Sequence, residues 1–386
     1  MSALAGNASL EKAHPAPGSI TTTFFESIDI LRGFAALSVV VYHVIEHFQW
    51  RGFPSIGPLA WFRVGWMGVD LFFVISGFVI GLSAFAGIDR SGTAGFQQPF
   101  MTRRLARIVP LHYLTMLVFV VFIAPYLLFH DFWLNALAHL LFVHNMHPQL
   151  HGAINGSNWS LGTEMQFYVL MLLLAPWLRT GRVLTIFLIF LGLSWAWRAL
   201  MFYFIPISSS TGPFQLFFAT TQLPGTLDEF AAGILLARLL RSPVAGFWIR
   251  DFRGRVAALI IACATCWLMW SIYWDHASYW DKAYMVIFWR SLLALAFAAI
   301  LLVTISTPIK GLLRKILTPF YYLGTISYGI YLWHLPVLMP LKKLEWLEPW
   351  RALWITITIT CLLASLSWYW IEKPLIGHFR GKRLTP

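Results

Sequence analysis

Long apolar stretches recur along the whole chain and are separated by short polar or charged segments. A bilayer is spanned by a helix of about 20 mostly apolar residues. On this criterion we predict an all-α polytopic membrane bundle with ten spanning helices, at residues 28–48, 67–85, 109–129, 159–178, 183–204, 216–237, 256–274, 283–305, 319–341 and 351–371. Residues 131–147 are also apolar but short for a span, which favours an interfacial or re-entrant helix.

The composition agrees with a membrane protein. Hydrophobic residues make up 59% of the chain and charged residues 11%, whereas a soluble domain is about one quarter charged. The net charge of +12 fits loops beside anionic lipid, so we predict membrane lipid and not nucleic acid as a partner. The three cysteines provide no disulfide framework. Cys263 and Cys266 lie in an apolar helix, where packing is the favoured interpretation.

Lysine and arginine residues orient the predicted spans. Of the 28 Lys and Arg residues, Arg32, Arg198 and Arg290 lie within spans and six more lie on one side, which leaves nineteen on the side of the N-terminal tail. The positive-inside rule then places both termini in the cytoplasm. The loops at 130–158 and 205–222, which contain no Lys or Arg, are predicted to lie outside.

The two ends of the chain are predicted to flank a single membrane domain. Residues 1–26 are polar and lack the basic start and short apolar core of a signal peptide, which indicates a flexible cytoplasmic tail. Residues 27–376 would form the transmembrane domain, and residues 377–386 a basic cytoplasmic tail.

The first apolar stretch carries an unusual number of ionisable residues. Asp29, Arg32, His43 and Glu46 lie along it. Arg32 and His43 are eleven residues apart, so on a helix they share one face about 16 Å apart. A polar stripe of this length must face protein or water. Ionisable groups in membrane helices are costly and are functional hypotheses by default.

Counting residues from the predicted span ends indicates two levels of charge. The outer level holds His43, Asp70, Glu164, Arg198, Asp228, Glu229, Arg290 and His334, and the cytoplasmic level holds Arg32, Arg103, Arg104 and Arg107. One interpretation of the outer groups is a set of structural ion pairs, such as Asp70 with Arg290. The other is a wet internal site.

Each level suits a different chemistry. Guanidinium groups clamp phosphates, and Arg103 and Arg107 share a face before a predicted helix, so the lower level suits a phosphate-rich ligand. Ordinary positive-inside charge is the alternative for this cluster. A histidine oriented by a carboxylate is a general base for an alcohol, which makes His43 the candidate base, with Asp70 or Glu164 as its partner.

Four histidines cluster in the loop after the third predicted span, at His139, His144, His147 and His151. Zinc sites need ligands at spacings that build a tetrahedron. No such spacing is present here, so we predict no metal site.

Six segments resemble, in order, those of the acyltransferase family 3 proteins, integral membrane acyltransferases that include O-antigen and Nod-factor acetylases. The resemblance covers residues 27–376. The segments are IDILRGFAALSVVVYH with Arg32 and His43, VDLFFVISGFVI, RRLARIVPLHY with Arg103, Arg104, Arg107 and Pro110, NWSLGTEMQFYV with Glu164, ISYGIYLWHLPVL, and WYWIEKPL.

The resemblance implies transfer of an acyl group, usually acetyl from acetyl-CoA, to a hydroxyl of a carbohydrate or lipid-linked glycan in the bacterial inner membrane. It implies that Arg32 and the second basic motif bind the donor and that His43 is essential. Some family members carry an extra hydrolase-like domain after the last helix. We expect this chain, which stops at Pro386, to be a stand-alone member.

We therefore predict an O-acetyltransferase in which the cytoplasmic arginines hold the CoA phosphates and His43 deprotonates the acceptor hydroxyl. A transient acyl-histidine at His43 is a second route. Two other functions stay open. One is O-acylation of a hydrophobic small molecule such as a macrolide, and the other is a transporter whose buried charges relay protons.

Overall fold

The structure, a computed structural model, describes residues 22–381 apart from 245, 247–250, 276–278, 308 and 310. The described residues form helices and loops, without a strand. The α-helices are α1 Thr22–His47, α2 Gly68–Gly95, α3 Gln97–Val118, α4 Phe132–Leu140, α5 Trp159–Thr180, α6 Val183–Phe204, α7 Gly212–Thr220, α8 Leu223–Arg241, α9 Phe252–Asp275, α10 Ala283–Ser306, α11 Gly311–Thr325, α12 Ser327–Lys342, α13 Pro349–Ser367 and α14 Lys373–Gly381.

The predicted class is confirmed, since eight of the described helices are long and apolar enough to cross a membrane. Eight of the ten predicted spans correspond to these helices. The other two are each divided: 216–237 falls on α7 and α8, and 319–341 on α11 and α12, with Ile326 between them. Pro224, at the start of α8, lacks the backbone N–H that a continuous helix would need. The total of ten spans stays a prediction.

Helices extend into both segments that were predicted as tails, at 1–26 and 377–386. Helix α1 begins at Thr22, so part of the predicted flexible tail 1–26 is helical, and residues 1–21 lie outside the described residues. Helix α14 extends through Gly381, which makes the first half of the predicted tail 377–386 helical. An amphipathic helix can lie along the membrane interface, so helical structure can continue beyond the last apolar span.

Helix α4 has its polar side chains buried and its apolar side chains exposed. Asn135 and His139 are buried, whereas Trp133, Leu134 and Leu137 are more than half exposed. A helix with nine residues is too short to cross a bilayer. Its outward apolar face suits lipid, as expected for the short non-spanning helix predicted within 131–147.

Glycines bring the central helices close together. A Cβ on Gly77 of α2 would overlap the backbone of Phe230 in α8, and a Cβ on Gly233 would overlap the backbone of Val74. A Cβ on Gly324 of α11 would likewise overlap the backbone of Asp29 in α1. Small residues let membrane helices approach closely enough for van der Waals packing to hold them.

Charged residues at one end of the bundle join three helices. Asp89 of α2 pairs with Arg179 of α5 at 2.6 Å and also with Arg241 of α8. All three lie on the side that the positive-inside rule assigns to the cytoplasm. Three residues that the predicted orientation places on the same side of the membrane are therefore in contact in the structure.

We expect Cys labelling to distinguish the two sides in a variant without the native cysteines. Gln149 lies in the predicted outer loop and Arg182 on the predicted cytoplasmic side, and both residues are exposed. A membrane-impermeant maleimide added to intact cells should label Gln149→Cys, and Arg182→Cys only after permeabilisation. The reverse pattern would overturn the orientation.

Candidate active site

A cavity of about 890 Å³ lies between α1, α2, α3, α5 and α12, with α14 across one side. Its lining includes five cationic residues and two acidic residues, a formal excess of three positive charges. The cationic residues are Arg32, Arg103, Arg104, Arg107 and Lys373, and the acidic ones are Asp29 and Glu164. The structure thus brings all four arginines predicted for the donor into one cavity.

Helix α3 carries three of these arginines inside the helix, whereas the sequence interpretation placed them before it. The helix extends further toward the cytoplasmic level than the apolar pattern indicated, because Arg and Gln are good helix formers. Arg104 lies over the rings of Phe100 and Tyr168, at 5.5 and 5.8 Å from their centroids. Arg107 has no hydrogen-bond partner among the described residues, so its guanidinium is available to an anion in the cavity.

Arg32 faces the same cavity from α1. Its guanidinium lies 3.3 Å from the carboxylate of Asp29, one turn earlier in the helix. The Arg32 side chain remains 18% exposed, so this pair is weakened by solvent. A phosphate group could compete with Asp29 for Arg32, since bidentate phosphate contacts are among the stronger hydrogen bonds in proteins.

Glu164 lines the same cavity as the arginines, whereas the sequence placed it at the level of His43. One carboxylate oxygen accepts hydrogen bonds from the hydroxyls of Ser76 and Tyr168, both at 2.8 Å. These contacts link α5 to α2 and fix the carboxylate against the wall. Because Tyr168 also contacts Arg104, Glu164 and the basic cluster form one connected wall.

A hydrogen-bonded group of hydroxyls forms part of the cavity lining. The Tyr331 hydroxyl donates to the backbone oxygen of Ser157 at 2.8 Å, and the Ser160 hydroxyl faces the same oxygen at 3.3 Å. The two hydroxyl oxygens also lie 2.8 Å apart, and either of them can donate to the other. Tyr331 and Ser160 both line the cavity, which gives this part of the lining hydroxyl groups in place of cations.

His43 lies outside the cavity lining and pairs with a second histidine. Its Nδ1 atom lies 2.9 Å from the backbone oxygen of Val39 and 3.2 Å from Nε2 of His334. The ring of His334 lies 4.9 Å from that of His43 and 5.8 Å from that of Tyr331, measured between centroids. Tyr331 lines the cavity, and His334 contacts both Tyr331 and His43.

Neither predicted carboxylate partner of His43 contacts it within the described part of the chain. Asp70 pairs with Arg290 at 2.7 Å, and Glu164 is held by Ser76 and Tyr168. The ring that hydrogen-bonds to His43 belongs to His334, so the predicted orienting contact is corrected. A catalytic role for Asp70 or Glu164 stays a prediction.

Asp70 belongs to a separate network of buried charges. Arg290 contacts Asp70 and Glu229, and Arg198 contacts Asp228 at 2.6 Å and Glu229 at 3.7 Å. All five side chains are at most 3% exposed. For these five residues the interpretation as structural ion pairs therefore applies. The residues that were predicted to share the outer level lie in separate clusters.

The sequence interpretation missed several residues of the site. Lys373 was counted only as loop charge, and Tyr331 and Ser160 were given no role although both lie in segments resembling the family. His334 was placed at the outer level without a function. The signal for His334 was its position in a spanning helix, because a buried histidine there needs a partner. The signal for Lys373 was its place directly after the last apolar stretch.

Among the described residues, no group of three or more His, Cys, Asp or Glu side chains is arranged to hold a metal ion. The rings of His139 and His144 stack in parallel, 4.2 Å apart at their centroids and 6° apart in plane. Stacked rings direct their nitrogen atoms sideways and so do not converge on one ion. Burial is the main cause that lowers the pKa of His139 to about 3 and that of His151 to about 4.

The fold and site together define a polytopic membrane protein with a cationic cavity that leads toward paired histidines. The sequence model of an acyltransferase domain matches residues 25–371, and the chain belongs to this family. Membership confirms the predicted resemblance and the acyltransferase class.

Relatives of the chain carry names of the same kind. It is 28% identical to the peptidoglycan O-acetyltransferase OatA of Listeria monocytogenes, over 93% of this chain and 57% of the relative. It is 28% identical to "Putative membrane-bound transacylase BcsY" of Komagataeibacter xylinus, over 93% of this chain and 87% of the relative. The chain thus spans little more than half the length of OatA. No solved structure shows a significant match.

We expect the buried charge network to govern stability. Arg290→Met leaves buried carboxylates uncompensated, a change that costs about 3–5 kcal/mol. The double variant Arg290→Met with Asp70→Asn should recover part of this loss. The midpoint of thermal unfolding in detergent measures both. Wild-type stability of Arg290→Met together with lost activity would instead place the network in the chemistry.

We expect acid to destabilise the segment from α4 to α5 that carries His139 and His151. Both pKa values lie below the ordinary 6.5 in the folded chain, so the unfolded chain binds more protons as the pH falls. Stability should therefore decrease from pH 6.5 down to about 4 for His151 and about 3 for His139. The loss of unfolding midpoint between pH 7.5 and 5 should be smaller in His151→Gln. The exposed His130→Gln serves as control, and an equal loss in both variants would contradict the assignment.

Proposed function

We propose that the protein is an O-acetyltransferase of the bacterial inner membrane that moves an acetyl group from acetyl-CoA to a hydroxyl of a carbohydrate. The observation that carries this proposal is the arrangement of the cavity. Cations line one part of it, the hydroxyls of Tyr331 and Ser160 line another, and His334, which pairs with His43, lies beside Tyr331.

The cationic part suits the nucleotide end of CoA. This end of the donor carries its phosphates, and Arg107 offers a guanidinium without a hydrogen-bond partner among the described residues. The aromatic rings of Phe100 and Tyr168 lie beside Arg104, and such rings also suit stacking of the adenine base of CoA. The volume of about 890 Å³ lies within the range of about 300–1,000 Å³ found for small-molecule and cofactor sites.

Helix α1 sets the distance between donor phosphates and reacting group. Arg32 faces the cavity, and His43 lies on the same helix about 16 Å further along. A donor held by its phosphates near Arg32 extends its thioester arm toward Tyr331 and Ser160. In the reaction His43 accepts the proton of the acceptor hydroxyl, whose oxygen attacks the acetyl carbonyl. The CoA thiolate then leaves and takes up that proton.

A two-step route uses the same residues. His43 would attack the thioester carbonyl and release the CoA thiolate. The acceptor hydroxyl would then attack the acetyl group on His43, which frees the imidazole, and the hydroxyl proton goes to the thiolate. Tyr331 lies between the cavity and the histidine pair, so either route requires the Tyr331 ring to move aside as the acetyl group approaches. Incubation with labelled acetyl-CoA in the absence of acceptor distinguishes the routes, because only the second leaves label on the protein.

The names of the relatives support a glycan acceptor. OatA is named for peptidoglycan, a polymer whose sugars carry the hydroxyl groups that are acetylated. We propose a surface polysaccharide or lipid-linked glycan as the acceptor here. A macrolide-like acceptor would require the same donor chemistry, and a proton-relaying transporter would not bind CoA, so saturable CoA binding by the purified protein excludes the transporter.

Donor binding should depend on the arginines of the cavity. Arg32→Ala and Arg107→Ala each remove one charge-assisted contact, worth about 1.5–3 kcal/mol, or roughly tenfold to hundredfold in CoA affinity. Binding of labelled CoA to purified protein measures the change.

The matched control is Arg182→Ala, which removes an exposed arginine at the same end of the bundle but outside the cavity. Its CoA affinity should equal that of the wild type. Unchanged affinity in all three variants would show that the cavity arginines serve only as topology charge.

Catalysis should depend on His43. His43→Ala should abolish transfer while CoA binding persists, because His43 lies about three turns from Arg32. Loss of a general base costs about 10²–10⁴-fold in rate. His43→Gln keeps polarity and volume but accepts no proton, so it should be nearly as inactive. Transfer of label from acetyl-CoA in membranes with matched amounts of protein measures this.

Glu46→Ala is the control on the same helix, because Glu46 is exposed beyond His43. It should keep most of the activity. If His43→Ala retained more than about one tenth of wild-type turnover, the loss would be smaller than the smallest loss expected for a general base, about 10²-fold. His43 would then be structural and the proposed mechanism would fail.

A further inference from the structure

The histidine pair has a hydrogen-bond pattern that fixes the position of each ring proton. Nδ1 of His334 lies 2.6 Å from the backbone oxygen of Tyr331. A carbonyl oxygen only accepts, so this Nδ1 carries the proton, and in the neutral ring Nε2 of His334 carries a lone pair. That Nε2 lies 3.2 Å from Nδ1 of His43.

The same reasoning fixes the proton of His43. Its Nδ1 atom faces two acceptors, the backbone oxygen of Val39 and Nε2 of His334. Between two acceptors Nδ1 must be the donor, and it shares its proton between them. In the neutral ring of His43 the lone pair is therefore on Nε2, the nitrogen directed away from both partners.

We propose that His334 is a positioning residue that holds His43 in the tautomer needed for acyl transfer and takes the place of the carboxylate in a His–carboxylate pair. When Nε2 of His43 accepts the proton of the acceptor hydroxyl, the new positive charge is shared with Nδ1–H. His334 and Val39 then stabilise that charge as acceptors. His334 neither gains nor loses a proton in the step.

The surroundings of His334 hold its ring in place. Its side chain is fully buried. Pro336 follows two residues later and lacks the N–H that would bond to the oxygen of Leu332. The Asn155 side chain donates to that oxygen at 2.9 Å instead, which ties α12 to the loop before α5. A ring fixed on both sides can position a neighbour, as the partner of a catalytic histidine must.

This inference rests on the proposed function, and two variants of similar volume test it. His334→Gln keeps an acceptor oxygen near the position of Nε2, whereas His334→Leu removes it. We expect kcat to fall roughly tenfold to hundredfold in His334→Leu and to recover largely in His334→Gln. The KM for acetyl-CoA should stay unchanged in both, because His334 lies outside the donor cavity. His151→Leu, which replaces another buried histidine, is the control for folding and should keep wild-type kcat.

A second measurement does not depend on activity. In protein labelled with ¹⁵N-histidine, the signal lost in His43→Ala identifies His43, and its chemical shifts report the tautomer. We expect the Nδ1-protonated form in the wild type. An Nε2-protonated His43 would overturn the inference, even if no acetyl transfer were found.

The kinetic outcomes separate the two proposals. Equal kcat in His334→Leu and wild type, with His43→Ala inactive, would reject the role of His334 and leave the proposed function intact. Equal losses in His334→Leu and His334→Gln would assign His334 to packing alone. Absence of transfer by the wild type, together with the expected tautomer, would reject the acetyl-CoA reaction but retain the histidine geometry.

Discussion

The pairing of Arg198 and Arg290 with three buried carboxylates is the interaction on which the arrangement of the bundle depends. These groups come from α2, α6, α8 and α10 and are almost completely shielded from solvent. A charge in a low-dielectric interior is tolerated only when its partner and hydrogen bonds stay in place. The four helices therefore cannot slide or rotate against one another without exposing an unpaired charge, and they form a fixed support.

Helix α2 belongs both to this charge network and to the wall of the cavity. One side of it bears Asp70 in the charge network, and another lines the cavity with Ser76 and Ser83. The glycine contacts between α2 and α8 hold the two helices at close range. The remaining wall comes from α1, α3, α5, α12 and α14, and its contacts include hydroxyl-to-backbone hydrogen bonds such as that from Tyr328 to Ile108.

The charged residues inside the bundle thus form two clusters, which differ in their exposure to solvent. The buried network pairs two cations with three carboxylates, and all five side chains are almost completely shielded from solvent. The cavity carries an excess of cations, with side chains that are partly exposed and an arginine without a hydrogen-bond partner in the described residues. An excess of positive charge is unfavourable for an empty protein interior but favourable once an anionic ligand arrives. As the proposed acetyl transfer requires, Tyr331 of this cavity lies beside His334, which pairs with His43.

The amino-acid sequence by itself determined most of the helices and the separation of Arg32 and His43 along the first one, because these follow from apolar length and from the rise of a single helix. It also identified Arg103, Arg104 and Arg107 as neighbours. Only the tertiary structure decided which charges meet. Asp70 and His43 share a depth, yet Asp70 faces Arg290 and His43 faces His334. Depth is counted along one helix, whereas the partner of a side chain depends on how its helix is rotated and which helix packs beside it.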